Sequence, residues 1–574
     1  MNSILTGASK KSEEHEYYNP VPEGYQVGKT KYVIVYGTVM SGLGKGIFAS
    51  SLAKLFQIKG FKVTQMKLEG YLNVDAGTLN PFRHGEVFVL DDGTETDMDL
   101  GTYERFIEQN LCKENFATNG QIFTDILNKE RKGGYLGRDV QYIPHVTGEI
   151  KLRLRNLAIK SQADIVFVEI GGTVGDIENS HYIEAMRELG YEEGRENVCN
   201  VALTYVIEPE FLGEQKSKAA QLGLRELTRL GIQPDIIACR CGHEVMEKVR
   251  EKISIFANVP LPRVVSVHDA DSIYLIPTML RKYKLDEQAL EVLGLKDRVK
   301  ENETAKNAWE SYVYKILGIE KEVTVGITGK YTALRDSYAS IIKALEHAGT
   351  SLGVKVNLKW IDTTFLNEEK AAKELAEVHG ILVPGAFGSR GAEGKIICIK
   401  HAREQKVPYL GLCYGFQMAT IEYARNVCGL AGANSTEVDQ NTPHPVIDLL
   451  PEQQRIAELG GNMRLGGFDI EIKANSFAAE LYGDIVARER FRHRWECNPA
   501  YLPQLEANGL IFSGKAPGRE IMQILELPRE VHPFFMATQA HPEFTSRPLK
   551  PNPMYLGFVK AVVEKAGMNS CNLN

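Results

Sequence analysis

The sequence predicts an α/β protein made of two Rossmann-like domains, each with a parallel sheet, joined by a linker. Three observations predict this fold. Short apolar runs alternate with helical stretches, a glycine-rich turn follows the first apolar run, and the same pattern begins again after a charged segment near residue 300. Hydrophobic residues make up 43% of the chain and charged residues 25%, which suits large buried cores and argues against a disordered chain.

The first domain begins with a βαβ unit. Tyr32–Tyr36 is an apolar run that is too short for a helix and suits a buried parallel strand. A helical pattern follows over Ile47–Ile58, closed by Gly60, and Val63–Leu68 is the next strand. Further strands are predicted at Ile165–Ile170, Val201–Ile207, Asp235–Cys239 and Arg263–Val267.

Between about Tyr283 and Glu322 strand-like runs stop and charges accumulate, which indicates a linker with helical character. The second domain then begins with a strand at Val323, followed by predicted strands at Gly380–Val383, Tyr409–Leu412 and Phe534–Ala537. The predicted organisation is a polar, disordered leader over 1–30, a first domain over 31–295, a linker over 296–321, a second domain over 322–566 and a tail over 567–574.

Composition excludes several classes of protein. The net charge of −7 argues against broad nonspecific binding of nucleic acid, which needs a basic surplus. We find no apolar run long enough to span a membrane, and the polar leader lacks the apolar core of a secretory signal. The nine cysteines are scattered and form no CxxC pair, which argues against a disulfide framework or a zinc site. We therefore expect a cytoplasmic protein.

The glycine-rich turn after the first strand is a candidate phosphate site. Small residues let successive backbone N–H groups surround an anion, and the helix N-terminus and Lys45 add positive charge. The spacing differs from a Walker sequence, because Gly46 stands where Ser or Thr is usual. A plain glycine turn beside a surface lysine is the alternative. The candidate residues are Ser41, Gly42, Leu43, Gly44, Lys45, Gly46 and Ile47.

Two acidic features favour a magnesium–nucleotide site. The run Asp91–Asp99 is dense in carboxylates, although a solvated loop would also explain it. Glu169 follows four apolar residues near the end of a predicted strand, where parallel sheets bind ligands. A carboxylate in that place is costly unless it is paired or bound to a metal, and Mg²⁺ prefers carboxylate ligands.

The second domain carries a candidate nucleophile. Cys413 lies between Gly411 and Gly415 at a strand-to-helix turn, which resembles a nucleophile elbow. Far downstream, His541 can accept the thiol proton and Glu543 can orient the imidazole. Each feature alone is more often structural than catalytic. A turn near Gly385 follows another strand and offers N–H groups for an oxyanion hole.

These motifs resemble a known family. Gly385-Ala-Phe-Gly, Gly411-Leu-Cys-Tyr-Gly and His541-Pro-Glu resemble a class I glutamine amidotransferase. Gly42-Leu-Gly-Lys-Gly, His84-Gly-Glu-Val-Phe-Val, Glu95-Thr-Asp-Met-Asp-Leu-Gly and Val168-Glu-Ile-Gly-Gly-Thr-Val-Gly-Asp-Ile-Glu resemble the P-loop amidoligase domain of CTP synthases. The similarity extends from about Tyr32 to Ala566. It implies a ligase of pyrimidine biosynthesis that aminates UTP to CTP with ATP and with ammonia from L-glutamine.

The resemblance implies roles in the first domain. Lys45 and Lys67 would stabilise the transferring phosphoryl group, with Mg²⁺ held by Asp99 and Glu169, while Arg240 would contact adenine. The residues implied to bind UTP or CTP are Asp176, Glu178, Lys216, Lys218, Gln221 and Lys252. His84 and Val87 would line the ammonia passage between the two sites.

The resemblance also implies roles in the second domain. Cys413, His541 and Glu543 would form the triad, and the N–H groups of Gly385 and Tyr414 the oxyanion hole. Gln417, Glu437 and Arg494 would hold glutamine, and Arg390, Glu393 and Arg464 would respond to GTP as allosteric activator. The expected partners are UTP, ATP, L-glutamine, CTP as feedback inhibitor and GTP as effector. We also expect a homotetramer that can form filaments, and no nucleic acid or membrane partner.

The sequence departs from the family pattern at Ala386, Trp495 and Ala540, and more seriously at Lys218-Ala-Ala-Gln221, where a hydroxyl is lost. Two alternatives exist, and the motif residues argue against both: the Ile170–Glu178 segment against the first, and the intact Cys413, His541 and Lys45 against the second. One is another P-loop amidoligase fused to a glutaminase, acting for example on a cobalt-corrin acid. The other is a scaffold or filament protein that kept the fold and lost the chemistry.

Overall fold

The computed structural model describes residues 20–209, 211, 213–329, 335–449 and 463–568, which form two compact units. The first unit comprises the described residues up to Thr78 and Thr102–Trp309. The second comprises Leu79–Gly101 and the described residues from Glu310 onward. Leu79–Gly101, which the sequence pattern placed within the first domain, thus packs into the second unit.

The elements up to residue 317 follow the predicted alternation. The strands are β1 (Lys31–Gly37), β2 (Val63–Glu69), β3 (Phe88–Val89), β4 (Glu95–Thr96), β5 (Phe116–Thr118), β6 (Ile165–Ile170), β7 (Val198–Tyr205), β8 (Ile236–Cys241) and β9 (Val264–His268). The helices are α1 (Lys45–Ile58), α2 (Pro81–His84), α3 (Met98–Ile107), α4 (Asn119–Arg131), α5 (Thr147–Ser161), α6 (Ser180–Glu193), α7 (Lys218–Arg229), α8 (Glu247–Ala257), α9 (Ile276–Lys282), α10 (Leu285–Val292) and α11 (Glu303–Leu317).

The first unit contains a seven-stranded sheet in the order β5-β2-β6-β1-β7-β8-β9. All six neighbouring pairs are parallel. The strands β1, β6 and β7 are almost wholly buried, because helices cover both faces of a parallel sheet and leave no polar face. The parallel sheet predicted for this half is confirmed, and it places the ends of β1, β2 and β6 side by side.

The remaining elements form the larger part of the second unit. The strands are β10 (Lys321–Gly329), β11 (Val354–Asp362), β12 (Gly380–Val383), β13 (Tyr409–Leu412), β14 (Asn434–Ser435), β15 (Pro445–Asp448), β16 (Arg464–Ile472), β17 (Val486–His493), β18 (Glu496–Cys497), β19 (Ile511–Lys515), β20 (Met522–Glu526) and β21 (Phe535–Thr538). The helices are α12 (Ala339–Ser351), α13 (Glu368–Leu375), α14 (Ala392–Glu404), α15 (Tyr414–Asn426), α16 (Phe477–Tyr482), α17 (Leu502–Ala507) and α18 (Pro553–Lys565).

The second unit contains a nine-stranded sheet in the order β11-β10-β12-β13-β21-β20-β19-β16-β17. Its first five strands are parallel, as predicted for a Rossmann-like domain. From β21 onward the neighbours are antiparallel, an extension that the sequence pattern did not predict. This extension matters for function, since the end of β17 reaches the predicted nucleophile.

The segment over 296–321, which the sequence predicts to be a linker, is largely helical. It contains α11, and Trp309 of this helix lies with its ring 5.8 Å from that of Phe106. Lys54 stacks over the same indole, 4.7 Å from the ring centroid.

Residues 20–30 of the predicted leader make contacts within the first unit, while residues 1–19 lie outside the described part. The Tyr25 hydroxyl is hydrogen-bonded to that of Tyr32 at 2.7 Å, and the Gly28 N–H donates to Glu193 at 2.9 Å. The guanidinium of Arg155 lies over the Tyr25 ring and also pairs with Glu193. These contacts tie the segment to β1, α5 and α6. The polar composition of the segment did not predict these contacts, because the residues that it contacts are distant in sequence.

Candidate active sites

Cys413 occupies a strained turn between β13 and α15. Its φ is +51°, a value that residues other than glycine rarely adopt. The flanking glycines are sterically required. A Cβ at Gly411 would collide with the hydroxyl of Tyr409, and one at Gly415 would collide with the carbonyl of Val383. The glycine-flanked elbow predicted from the sequence is therefore present.

His541 and Glu543 lie beside this thiol. Nδ1 of His541 lies 2.6 Å from Oε1 of Glu543, and the imidazole stacks on Phe544 at 5.0 Å between ring centroids. A Cβ at Gly385 would be 2.9 Å from Cε1 of His541 and 3.6 Å from Cβ of Cys413. Gly385 thus borders both groups, and the three predicted triad residues are brought together.

The electrostatics favour a protonated imidazole. Burial by itself lowers the pKa of His541, but the negative charge of Glu543 and that of a Cys413 thiolate outweigh it and raise the pKa to about 10. An imidazolium held between a thiolate and a carboxylate is the arrangement that activates a cysteine nucleophile. Tyr414 is the first residue of α15, so its N–H has no partner within the helix and remains available to an oxyanion.

The predicted glutamine-binding residues surround the elbow. Gln417 donates from Nε2 to the carbonyl of Trp495 at 3.0 Å, and Glu437 accepts from the Gly388 N–H at 2.7 Å. Arg494 lies over the Trp495 ring, 5.7 Å from its centroid. Gln417 and Arg494 thus both contact Trp495, while Glu437 contacts the backbone of Gly388.

The predicted effector residues all lie in the second unit. Arg390 and Glu393 are exposed, and Glu393 pairs with Arg425 at 2.8 Å. Arg464 lies beside a different carboxylate, with its Nε 3.9 Å from Oε1 of Glu496.

In the first unit, the glycine-rich turn between β1 and α1 has several residues in the left-handed region. Val39, Gly42 and Gly44 adopt positive φ values of 76°, 74° and 78° before α1 begins at Lys45. Lys45 is buried, and its Nζ donates to the carbonyl of Gly172 at 2.9 Å. A Cβ at Gly37 would approach the Lys45 side chain to 3.0 Å, so this glycine leaves room for the ammonium.

Lys67 and Glu169 meet across neighbouring strands. They are register partners on β2 and β6, and Nζ lies 2.8 Å from Oε1 of Glu169. The hydroxyl of Tyr103 is hydrogen-bonded to the other oxygen of Glu169. Nζ also lies 3.1 Å from Oε1 of Glu69. Glu69 was missed in the sequence analysis, although its place two residues after Lys67 puts both side chains on one face of the strand.

The loop after β6 orders Asp176 and Glu178. Oδ2 of Asp176 accepts from the Thr173 N–H at 2.7 Å, which closes the turn. The amide of Asn119 donates to the carbonyls of Gly70 and Glu178 at 2.7 and 2.8 Å. The backbone of Glu178 is thereby held next to the end of β2.

The predicted triphosphate lysines are exposed and near one another. Lys216 pairs with Glu214 at 2.8 Å, and Lys248 and Lys252 join it in lowering the pKa of Glu214. Lys218 begins α7, and Gln221 donates to Ser217 at 3.2 Å. Arg240 donates to the carbonyl of Val267 at 2.8 Å and pairs with Asp269 at 2.7 Å.

Three predicted residues belong to the second unit. His84 ends α2, Val87 is buried just before β3, and Asp99 lies in the first turn of α3, where its N–H donates to Asp97 at 3.1 Å. Sequence reasoning also missed Arg492, which pairs with Glu95 at 2.7 Å, and Gln539, whose Nε2 lies 3.6 Å from the Cys413 sulfur.

The chain matches the models of two protein families. A family model described as CTP synthase N-terminus matches residues 31–295, and one described as glutamine amidotransferase class-I matches residues 333–561. The chain is 50% identical to a CTP synthase of Thermococcus gammatolerans over 93% of this chain and 99% of that protein. It is 49% identical to a CTP synthase of Archaeoglobus fulgidus over 93% of this chain and 98% of that protein.

Among solved structures, the chain is similar to the glutaminase domain of Trypanosoma brucei CTPS with bound acivicin. The identity is 35% and the TM-score 0.40, over 43% of this chain and 95% of that domain. Within the described residues, no helix is long and apolar enough to cross a membrane.

Proposed function

The chain belongs to the CTP synthase family, and we propose that the two sites described above divide between them the glutamine-dependent synthesis of CTP from UTP and ATP. The single observation that carries this assignment is the Cys413–His541–Glu543 arrangement in the second unit. The Lys67–Glu169 pair in the first unit supports it. The functional domains proposed are a synthetase over 31–295 and a glutaminase over 322–566, joined by the linker over 296–321.

In the first site, the reaction needs O4 of UTP to become a leaving group. ATP phosphorylates this oxygen, and ammonia then displaces phosphate at C4. Lys45 and Lys67 stabilise the charge that spreads over the transferring phosphoryl oxygens. The predicted phosphate turn over 41–47 cradles the ATP phosphates, and Arg240 contacts adenine. Lys216, Lys218, Gln221 and Lys252 bind the UTP triphosphate, where exposed cations suit a tetraanion.

The carboxylates of this site fit Mg²⁺, which is a hard cation that takes oxygen ligands. Glu69 and Glu169 both contact Lys67, so a metal ion bound there would compete with the lysine for the same oxygens. In the first unit, Glu169 and Glu69 are the residues proposed to hold it. The assignment of Asp99 to the metal stays a prediction from the sequence motif. When bound, Mg²⁺ neutralises phosphate charge.

In the second site, the Cys413 thiolate attacks the side-chain amide carbon of glutamine. The N–H groups of Gly385 and Tyr414 stabilise the oxyanion, and His541 gives its proton to the departing ammonia, which leaves a glutamyl thioester. Water then hydrolyses the thioester and releases glutamate. Gln417, Glu437 and Arg494 orient the charged ends of the substrate.

Regulation and assembly belong to the proposal as well. Asp176 and Glu178 read the pyrimidine nucleotide, including CTP as inhibitor. Arg390, Glu393 and Arg464 respond to GTP, while His84 and Val87 line the passage for ammonia. The protein acts in the cytoplasm as a homotetramer that can form filaments.

The test separates the two sites by nitrogen source. Wild type, Cys413→Ala and Lys45→Ala are each incubated with UTP, ATP and Mg²⁺, with either glutamine or ammonia at raised pH, and CTP is measured. Cys413→Ala should lose only the glutamine-dependent reaction, because free NH₃ bypasses the thioester. Lys45→Ala should lose both reactions, because phosphoryl transfer precedes either. If wild type made no CTP, the scaffold alternative would hold; if Cys413→Ala kept glutamine-dependent synthesis, the nucleophile assignment would fail.

A further inference from the structure

The segment from Arg492 to Glu496 passes beside the nucleophile and contains the buried His493. The carbonyl of Arg492 lies 3.6 Å from the Cys413 sulfur, and the carbonyl of Trp495 accepts from Gln417 at 3.0 Å. Between these two contacts lies His493, which is only 1% exposed. Its Nδ1 is 3.2 Å from the same Trp495 carbonyl.

The chemistry of this contact settles the state of the ring. A carbonyl oxygen only accepts, so Nδ1 of His493 must carry the hydrogen. Burial, with Arg464 and His541 nearby, lowers the pKa of His493 to about 3, so the imidazole is neutral at physiological pH. Its Nε2 has no hydrogen-bond partner among the described residues. The ring therefore makes one directed hydrogen bond, which closes the turn at Arg494.

We propose that His493 is a positioning residue for glutamine: its Nδ1–H and the Gln417 amide together hold the Trp495 carbonyl and so fix the turn that presents Arg494 to the substrate. This inference rests on the proposed roles of Gln417 and Arg494. Two donors on one carbonyl leave the turn little freedom, which reduces the entropy lost when glutamine binds.

Glu496 is a competing acceptor on the other side of the ring. It is 1% exposed, neither of its carboxyl oxygens has a hydrogen-bond partner within the described chain, and Oε1 lies 3.7 Å from Nδ1 of His493. The charged and titratable groups around this pair are Arg464 on β16, His541 after β21 and Cys497 on β18. Burial raises the pKa of Glu496 to about 8, although Arg464 opposes the shift.

The direction of the pH effect follows. Below this pKa Glu496 is neutral and leaves His493 to the Trp495 carbonyl. Above it the carboxylate attracts the Nδ1–H and weakens the turn. The KM for glutamine should therefore rise in wild type as the pH passes through about 8.

The first experiment compares His493→Leu, which removes the donor, with His493→Asn, whose side-chain N–H can reach the same carbonyl. His532→Leu is the matched control, because His532 is equally buried in this unit and bonds instead to the carbonyl of Ala402. We expect His493→Leu to raise the KM for glutamine about tenfold, and His493→Asn to restore most of the loss. Alkylation of Cys413 by iodoacetamide, which does not use the glutamine pocket, and ammonia-dependent CTP synthesis should stay within about twofold.

A second measurement does not depend on His493→Leu folding. The KM for glutamine is measured from pH 7 to 9 in wild type and in Glu496→Gln, with the exposed Glu506→Gln as control. We expect the alkaline rise to disappear only in Glu496→Gln. A wild-type KM in folded His493→Leu, or an unchanged alkaline rise in Glu496→Gln, would overturn the proposal. A wild type without glutamine-dependent activity would instead refute the proposed function.

Discussion

The two sites differ in how much of their geometry exists before substrate binds. Around Cys413 the nucleophile is positioned by its backbone, which has a positive φ and two flanking glycines packed closely against neighbouring residues. The buried His541–Glu543 pair completes the arrangement. Around Lys67 the side chains neutralise one another, because Lys67 contacts both Glu69 and Glu169. A covalent catalyst needs its reacting atom in place, whereas a nucleotide site must exchange internal ion pairs for phosphate and metal.

The largest loss of activity should come from a substitution that removes the ion pair between Lys67 and Glu169. Glu169→Gln removes the charge that both orients Lys67 and fits a metal ion. We expect CTP formation to fall about 10²–10³-fold with glutamine and with ammonia alike, with a higher Mg²⁺ requirement. Steady-state rates with both nitrogen sources measure this, and Glu251→Gln on the exposed face of α8 is the control. Near-normal ammonia-dependent activity would remove Glu169 from the site.

In the preassembled site, Glu543→Gln should act through the histidine. Without the carboxylate the pKa of His541 falls from its raised value, so less imidazolium is present at neutral pH. We expect glutamine-dependent synthesis to drop about 10²-fold at pH 7 and ammonia-dependent synthesis to persist. Alkylation of Cys413 by iodoacetamide should slow most at low pH, where the lost ion pair contributed most. Unchanged alkylation across pH would show that Glu543 does not act on His541.

A smaller loss of glutaminase activity is expected when a substitution changes the shape of the nucleophile site but not its charge. Gly385→Ala places a methyl group 2.9 Å from Cε1 of His541, so the imidazole must shift, whereas its 3.6 Å approach to Cβ of Cys413 is an ordinary contact. The kcat for glutamine hydrolysis should fall by up to about 10²-fold, with little change in ammonia-dependent synthesis. Gly190→Ala in α6, where a Cβ meets nothing within 4 Å and the backbone is helical, controls for a methyl group added at a glycine. If Gly385→Ala retained full hydrolysis, the site would be less tightly preassembled than the contacts indicate.

The smallest effect is expected from a substitution in the segment over 20–30, which should lower the stability of the protein and leave both activities unchanged. Tyr25→Phe leaves the fully buried hydroxyl of Tyr32 without its 2.7 Å partner. We expect unfolding to become easier by about 1 kcal/mol, seen as a slightly lower Tm, with both activities unchanged. Val27→Ala, at a half-exposed position of the same segment, is the control. An unchanged Tm would mean that the segment over 20–30 contributes little to the first unit.

The sequence by itself determined the elements and most of the chemistry. Apolar runs such as those of β1 and β6, the glycines around Lys45 and Cys413, and the His541-Pro-Glu543 motif are local patterns, since strand burial, tight turns and a carboxylate two residues after a histidine depend on neighbouring residues. Glu69 was within reach of the same reasoning, because alternate residues of a strand share a face.

What only the tertiary structure decided are the relations between distant residues. Packing decides that Arg155 holds Tyr25 and that Leu79–Gly101 belongs to the second unit. It also decides that the antiparallel extension brings β17 to Cys413, and that His493 is hydrogen-bonded to Trp495 beside Gln417. The physical reason is that burial and charge pairing are decided by which surfaces meet. Composition and periodicity describe each surface, but they do not say which distant surface it will face.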